Sequence, residues 1–317
     1  MRKKITFFII ISFFVFIAPI HARTLKEIID SGFIIIGIRN IPSDIIYQPD
    51  IINKPGFCYE LAKSFADYLH VDMKIKIIEF FSDYWTKDGK NMLKNNISGT
   101  PDIYKDIDFV ADIITVNEKR KKIVNMIPFI ENSELFFARK DAHIDSYNDF
   151  KGKKIITAES YNFYTTLINE LKKRNIHYTI NRINIKNNKF IFWDEYKEPS
   201  KEDVEILLIP EGIRPDRYTF YYQVILGNAD ISILDSFSFF AKVFNTYTFK
   251  EYLKPLFIAN ENIGYLAFCT SFDTPELSNS LENFMTLFKE TEKFNMLFKK
   301  YMGINYYDYL EILERKK

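Results

Sequence analysis

The polar chemistry this sequence offers centres on Thr115, Arg120 and Asp235. Thr115 and Arg120 belong to the stretch DFVADIITVNEKRKKIVNMIPF, from Asp108 to Phe129. Its apolar run, Phe109 to Ile114, reads as a buried strand of a parallel sheet, ended by Thr115. Asn117 is placed to cap a short helix through Glu118, Lys119, Arg120, Lys121 and Lys122, and Pro128-Phe129 reads as the stop after Ile123, Val124 and Met126. In open α/β sheets the C-terminal edge of the strands is where ligands sit, and a hydroxyl and a guanidinium across one such turn can both reach a single carboxylate. Asp235 has the same placement: Asp230 opens an apolar run, and Asp235 closes it, where it can also cap a helix from Ser236 to Phe244. A buried Arg and a buried Asp each need a partner, which suits a zwitterionic ligand.

The rest of the composition narrows the function by exclusion. At 317 residues, with 47% hydrophobic and 17% aromatic content, the chain is long enough for two lobes with cores of their own. A formal charge of +1, without an aromatic-interleaved basic patch, argues against nucleic acid as a partner. His21, His70, His143 and His177 are scattered and Cys58 and Cys269 lie far apart, so no metal-ligand spacing occurs and no cofactor is expected. One bridge between those cysteines is allowed in an oxidising compartment, but the sequence does not pair them. No nucleophile has a positioned base, so catalysis is not expected.

The first residues read as a targeting segment: Arg2, Lys3 and Lys4, then the apolar run Ile5 to Ile17, then Pro19 to Ala22 with cleavage after Ala22. Ile20 is large for the third position before that cut, which leaves an uncleaved anchor as the alternative. A location outside the cytoplasm, in the periplasm, is the expectation.

The elements that would position the site follow from pattern. Thr24 caps a short helix ended by Gly32, Phe33 to Ile38 is a buried strand, and Gly56 to Leu69 is a helix with Phe57, Leu61, Phe65, Tyr68 and Leu69 on one stripe. Met73 to Phe80, Glu134 to Arg139, Lys154 to Ala158, Val204 to Ile209 and Ile263 to Cys269 read as strands, and Tyr218 to Leu226 as a helix. Thr274-Pro275-Glu276 starts another helix. The polar stretch to Lys105 and the stretch Asn175 to Asp203 show no clear pattern. Tyr47, Tyr84 and Trp85 are candidate aromatics for the side chain of a ligand.

Taken in order, these segments resemble the family 3 extracellular solute-binding proteins, the amino-acid-binding proteins of ABC importers. SGFIIIGIRN is similar to the family's opening s-G-x-l-r-V-G-v, and Asp108, Thr115, Arg120 and Pro128-Phe129 fall on D…T-p-e-R…P-Y. DFKGKKIITAESYNFYTTL resembles the opening of the second lobe, with Ser160 where Gly is usual and Tyr161 where Ser or Thr is usual. GNADISILDS matches G-x-x-D-a-x-x-x-D. GFCYELAKSFADYL, and the closing FKKYMGINYYDYLEILER, are especially similar to the solute-binding part of membrane-bound lytic transglycosylases of the F type.

The resemblance implies a type II periplasmic-binding-protein fold of the α/β class, two lobes joined by two crossover strands. It places the signal segment at 1–22, the first part of lobe I at 23–138, lobe II at 139–258, and a return strand with C-terminal helices at 259–317. It implies a small-molecule ligand, an amino acid or cell-wall fragment, with Arg120 and Thr115 on its carboxylate, Asp235 on its ammonium, Tyr47 stacking on its side chain, and Ser160 and Tyr161 in a cradle that lacks the usual Gly. An ABC permease is the implied partner. The transglycosylase likeness implies an alternative, a membrane sensor or regulatory module without a catalytic domain. The pair Glu159-Ser160 matches a catalytic Glu-Ser of that family only as a dipeptide, because it follows a strand rather than lying in a lysozyme-like helix.

Overall fold

The computed structural model describes residues 22–40, 43–213, 218–260 and 263–314. The targeting segment, apart from Ala22, therefore lies outside the described residues. In chain order the strands are β1 (Phe33–Arg39), β2 (Asp72–Ile78), β3 (Thr86–Lys87), β4 (Lys90–Asn91), β5 (Phe109–Thr115), β6 (Asn125–Asn132), β7 (Glu134–Arg139), β8 (Lys154–Ala158), β9 (Tyr178–Lys186), β10 (Lys189–Phe192), β11 (Val204–Ile209), β12 (Ile231–Asp235), β13 (Leu253–Ile258) and β14 (Gly264–Thr270).

Two sheets organise these strands. The first has the order β2-β1-β5-β14-β6 and the second β10-β9-β11-β8-β12-β7-β13, with β3 and β4 forming a small ribbon. In the first sheet β2, β1 and β5 run parallel and β14 returns antiparallel between β5 and β6. In the second, β9, β11, β8 and β12 run parallel, β7 runs against them, and β13, antiparallel to β7, runs in their direction again. The central parallel strands are apolar runs because helices cover both faces; every residue of β11 is buried.

The chain changes sheet twice. It leaves the first sheet after β6 and enters the second with β7, so the passage falls at Ser133, ahead of the boundary expected after residue 138. It returns between β13 and β14. Pro128 does not end a helix. That helix is only Glu118–Lys121, and Pro128 sits inside β6, which a proline tolerates because β6 is an edge strand.

Local chemistry explains the anchoring elements. Thr24 and Glu27 form a capping box on the helix Leu25–Ser31, and Gly32 ends it at φ 74°. Gly56 precedes the helix Phe57–Tyr68 at φ 135°, where any Cβ would collide with the carbonyl of Ile46, so the helix start seats directly on that backbone. Asp108, at the foot of β5, accepts from Ile35 N–H at 2.6 Å and pairs with Arg23. The stretch 175–203 contains β9 and β10, an antiparallel hairpin turned by Asn187 and Asn188, both with positive φ. Cys58 and Cys269 are both buried free thiols rather than a bridge. Among the described residues no helix is long and apolar enough to cross a membrane.

Candidate functional site

A cleft of about 430 Å³ lies where the sheets meet the crossovers. The first lobe contributes Ile113 and Thr115 from β5, the crossings contribute Asn132, Ser133, Glu134 and Asn260, and the second lobe contributes Ser160 to Phe163 after β8 and Asp235 at the end of β12. These are C-terminal ends of parallel strands, the edge at which an open α/β sheet leaves space for a ligand.

The first crossing is held tightly. Ser133 N–H donates to Ser236 Oγ at 3.1 Å, and Ser236 N–H donates back to Ser133 O at 2.7 Å. Asn132 Oδ1 accepts from Ser236 Oγ and from Phe237 N–H, each at 3.1 Å. Tyr309 Oη donates to Glu131 O at 2.6 Å, which joins the helix Tyr306–Glu314 to the same strand. Glu134 O accepts from Ala259 N–H at 2.7 Å and thereby links the two crossings.

Charge in the cleft is one-sided. Asp235 Oδ1 accepts from Ser238 N–H at 2.8 Å, capping the helix Ser236–Val243, and burial pushes its carboxyl above the usual range. Glu134 stands directly opposite Asp235 in the β7–β12 ladder. Its carboxyl is also raised, first by burial and then by the charge of Asp235, against a lowering hydrogen bond from Thr166. Neither forms an ion pair with any described Lys, Arg or His. Glu134 Oε2 and Ser133 Oγ are buried with no hydrogen-bond partner among the described residues.

The opposite wall suits an anion. The first turn of the helix Asn162–Lys173 lines the cleft, Tyr161 at its N-cap supplies no side-chain cap, and the turn contains no acid. The N–H groups at the start of that turn and the positive end of the dipole favour a carboxylate.

Thr115, Ser160, Tyr161 and Asp235 thus come together in one cleft. Arg120 does not line it. Its Nη1 donates to Thr115 O at 2.6 Å, behind the cleft edge, and its guanidinium lies over the rings of Phe81 and Trp85 at 5.4 and 5.3 Å. Burial lowers its pKa. Tyr47 lines a different recess with Arg39, Gln48 and Asp50 and stacks on Tyr59 at 5.2 Å. Tyr84 and Trp85, 1% and 2% exposed, are core residues. Glu159 accepts from Glu211 N–H at 3.1 Å and faces Arg182, which accounts for it structurally. Sequence reasoning missed Glu134 and Ser133. The available signal was a lone acid opening the apolar strand ELFFAR.

Comparison with known proteins places this geometry. Residues equal to 42% of the chain are 27% identical to the membrane-bound lytic murein transglycosylase F of Saccharophagus degradans, a match that spans only 24% of that protein. A polar amino acid ABC uptake transporter substrate-binding protein from Streptococcus thermophilus superposes with a TM-score of 0.60 at 15% identity, over 90% of this chain and 92% of that one. The L-cystine solute receptor of Neisseria gonorrhoeae, in its unliganded open conformation, gives 0.59 at 14% identity, over 90% and 98%. The fold is that of the type II periplasmic binding proteins. No protein-family model matches the chain. In a periplasmic-binding-protein fold the cleft built here occupies the space between the lobes.

Proposed function

We propose that the chain is an exported solute-binding protein that captures a small amino-acid-like or peptide-fragment ligand between its lobes for an ABC permease, and performs no catalysis. The observation that supports this reading is the polarity of the cleft: acids Glu134 and Asp235 without a cation on one wall, an uncapped helix start on the other. The ammonium goes to Asp235. The carboxylate goes to Thr115 and the first turn of the helix Asn162–Lys173, with Ser160 and Tyr161 beside it and Arg120 bracing Thr115 from behind. A ligand touching both lobes favours the closed form, which a permease then distinguishes from the open one.

A thermal-shift panel of amino acids, short peptides and muropeptide fragments on the purified protein tests this. A ligand at a hundred times its Kd adds about 2.7 kcal/mol to stability. Asp235→Asn is expected to remove the shift. No shift from any compound, or one indifferent to Asp235→Asn, would sink the reading.

A second reading, a ligand-sensing module related to the F-type transglycosylases, is favoured by the Saccharophagus match. A shift from muropeptide fragments alone, with none from free amino acids, would select it.

A further inference from the structure

The β7–β12 register puts Glu134 directly across from Asp235, and residues so paired share one face of the sheet with Cβ atoms about 4.5–5.5 Å apart. Both line the cleft, and among its described lining residues they are the charged ones. A neutral zwitterion supplies one ammonium to two carboxylates and brings a third carboxylate with it. Closure around such a ligand would leave a net negative charge in a site losing its water, which is costly. The positive end of the helix Asn162–Lys173 offsets only part of it. A ligand with a second basic nitrogen removes one more unit of that charge.

The surroundings of Glu134 indicate that it is built to be met. Its Oε2 is buried and unpartnered among the described residues, and so is the neighbouring Oγ of Ser133, a residue only 5% exposed on the same cleft wall. Its backbone is fixed through the carbonyl bond to Ala259, and its side chain is steadied by Thr166 from the helix opposite. A partner with several N–H donors satisfies Glu134 Oε2 and Ser133 Oγ together. A methyl or methylene group there would leave both oxygens desolvated.

Building on the reading of the cleft as an amino-acid site, we propose that it selects small organic cations with a second basic nitrogen, and that Glu134 is the residue that reads that nitrogen. The class covers dibasic amino acids and diamines, which share the ammonium chemistry and differ in the carboxylate.

Isothermal titration of the intact protein with L-lysine, L-norleucine, L-glutamine and cadaverine tests this. L-lysine is expected to bind at least about tenfold more tightly than L-norleucine or L-glutamine, and Glu134→Gln to bring that ratio to within about threefold. Glu134→Asp, which keeps the charge, is expected to restore part of the preference. Because the readout is a ratio within each variant, a general loss of stability does not imitate it. Equal binding of L-lysine and L-norleucine, or a ratio unchanged in Glu134→Gln, overturns the proposal while leaving an amino-acid cleft in place. Binding of cadaverine without any amino acid supports selection for the cation and overturns the carboxylate half of the cleft assignment. Silence from all four probes overturns both.

Discussion

Asp112 and Asp235 are chemically the same group on comparable strands of the two lobes, and the protein treats them in opposite ways. Asp112, fully buried on β5, is gripped by both Nε and Nη2 of Arg39, which is itself 17% exposed, and accepts from Tyr84 Oη at 3.0 Å. Asp235 on β12 has a helix N–H and, across the ladder, another acid. A buried carboxylate with its cation inside the protein belongs to the fold. One left half-buried without a cation keeps its strongest interaction in reserve, and the reserve faces the cleft.

Breaking the first arrangement should have the largest effect. Asp112→Ala leaves the Arg39 guanidinium without its partner and is expected to cost about 3–5 kcal/mol in urea denaturation. Asp235→Asn should change stability by less than about 0.5 kcal/mol, since Asn caps a helix as well as Asp does. Equal losses in the two variants would erase the distinction between the lobes.

Arg120 sharpens the comparison at an intermediate scale. It contacts the backbone of Thr115 and two rings rather than the cleft, so Arg120→Ala is expected to lower stability by about 1 kcal/mol and to weaken ligand binding less than Asp235→Asn does. Calorimetry showing the reverse order would make Arg120 a direct ligand contact that swings into the cleft.

The most gradual effect is in pH. Glu134 and Asp235 have folded-state pKa values above their unfolded ones, so the native state holds more protons in the interval between. Stability without ligand should therefore fall as pH rises from about 4 through the raised values, by at most about 1.4 kcal/mol per pH unit for each proton released. A bound cation reverses the slope, because it favours the ionised pair and is lost on acidification. The double variant Glu134→Gln, Asp235→Asn should show neither slope in pH-dependent melts.

How much of this was readable in the sequence depends on whether the signal was local. The fold was legible because its signals were: the apolar runs of β1, β5 and β11, the Thr24 capping box, and the Gly56 helix start each sit within a few residues. The position of Asp235 at a strand edge was legible for the same reason, as the last residue of NADISILD. Glu134 was not, because its meaning comes from a partner brought across by strand register, and register is a property of the folded sheet. Tyr84 and Trp85 misled as loop aromatics because a short 3₁₀ turn, Phe81–Trp85, folds them inward against the first lobe. The Asn187-Asn188 hairpin in the unpatterned stretch had a visible turn signal that went unused.

Glu134 follows Ser133 directly, and Ser133 is where the chain passes between the sheets, held on one side by Ser236 and joined through Glu131 to Tyr309. If Glu134 reads the ligand as proposed, recognition and the crossing between the sheets are a single peptide bond apart. A charge neutralised at Glu134 would then act beside the crossing itself, with no train of side chains needed to carry the news from a distant pocket.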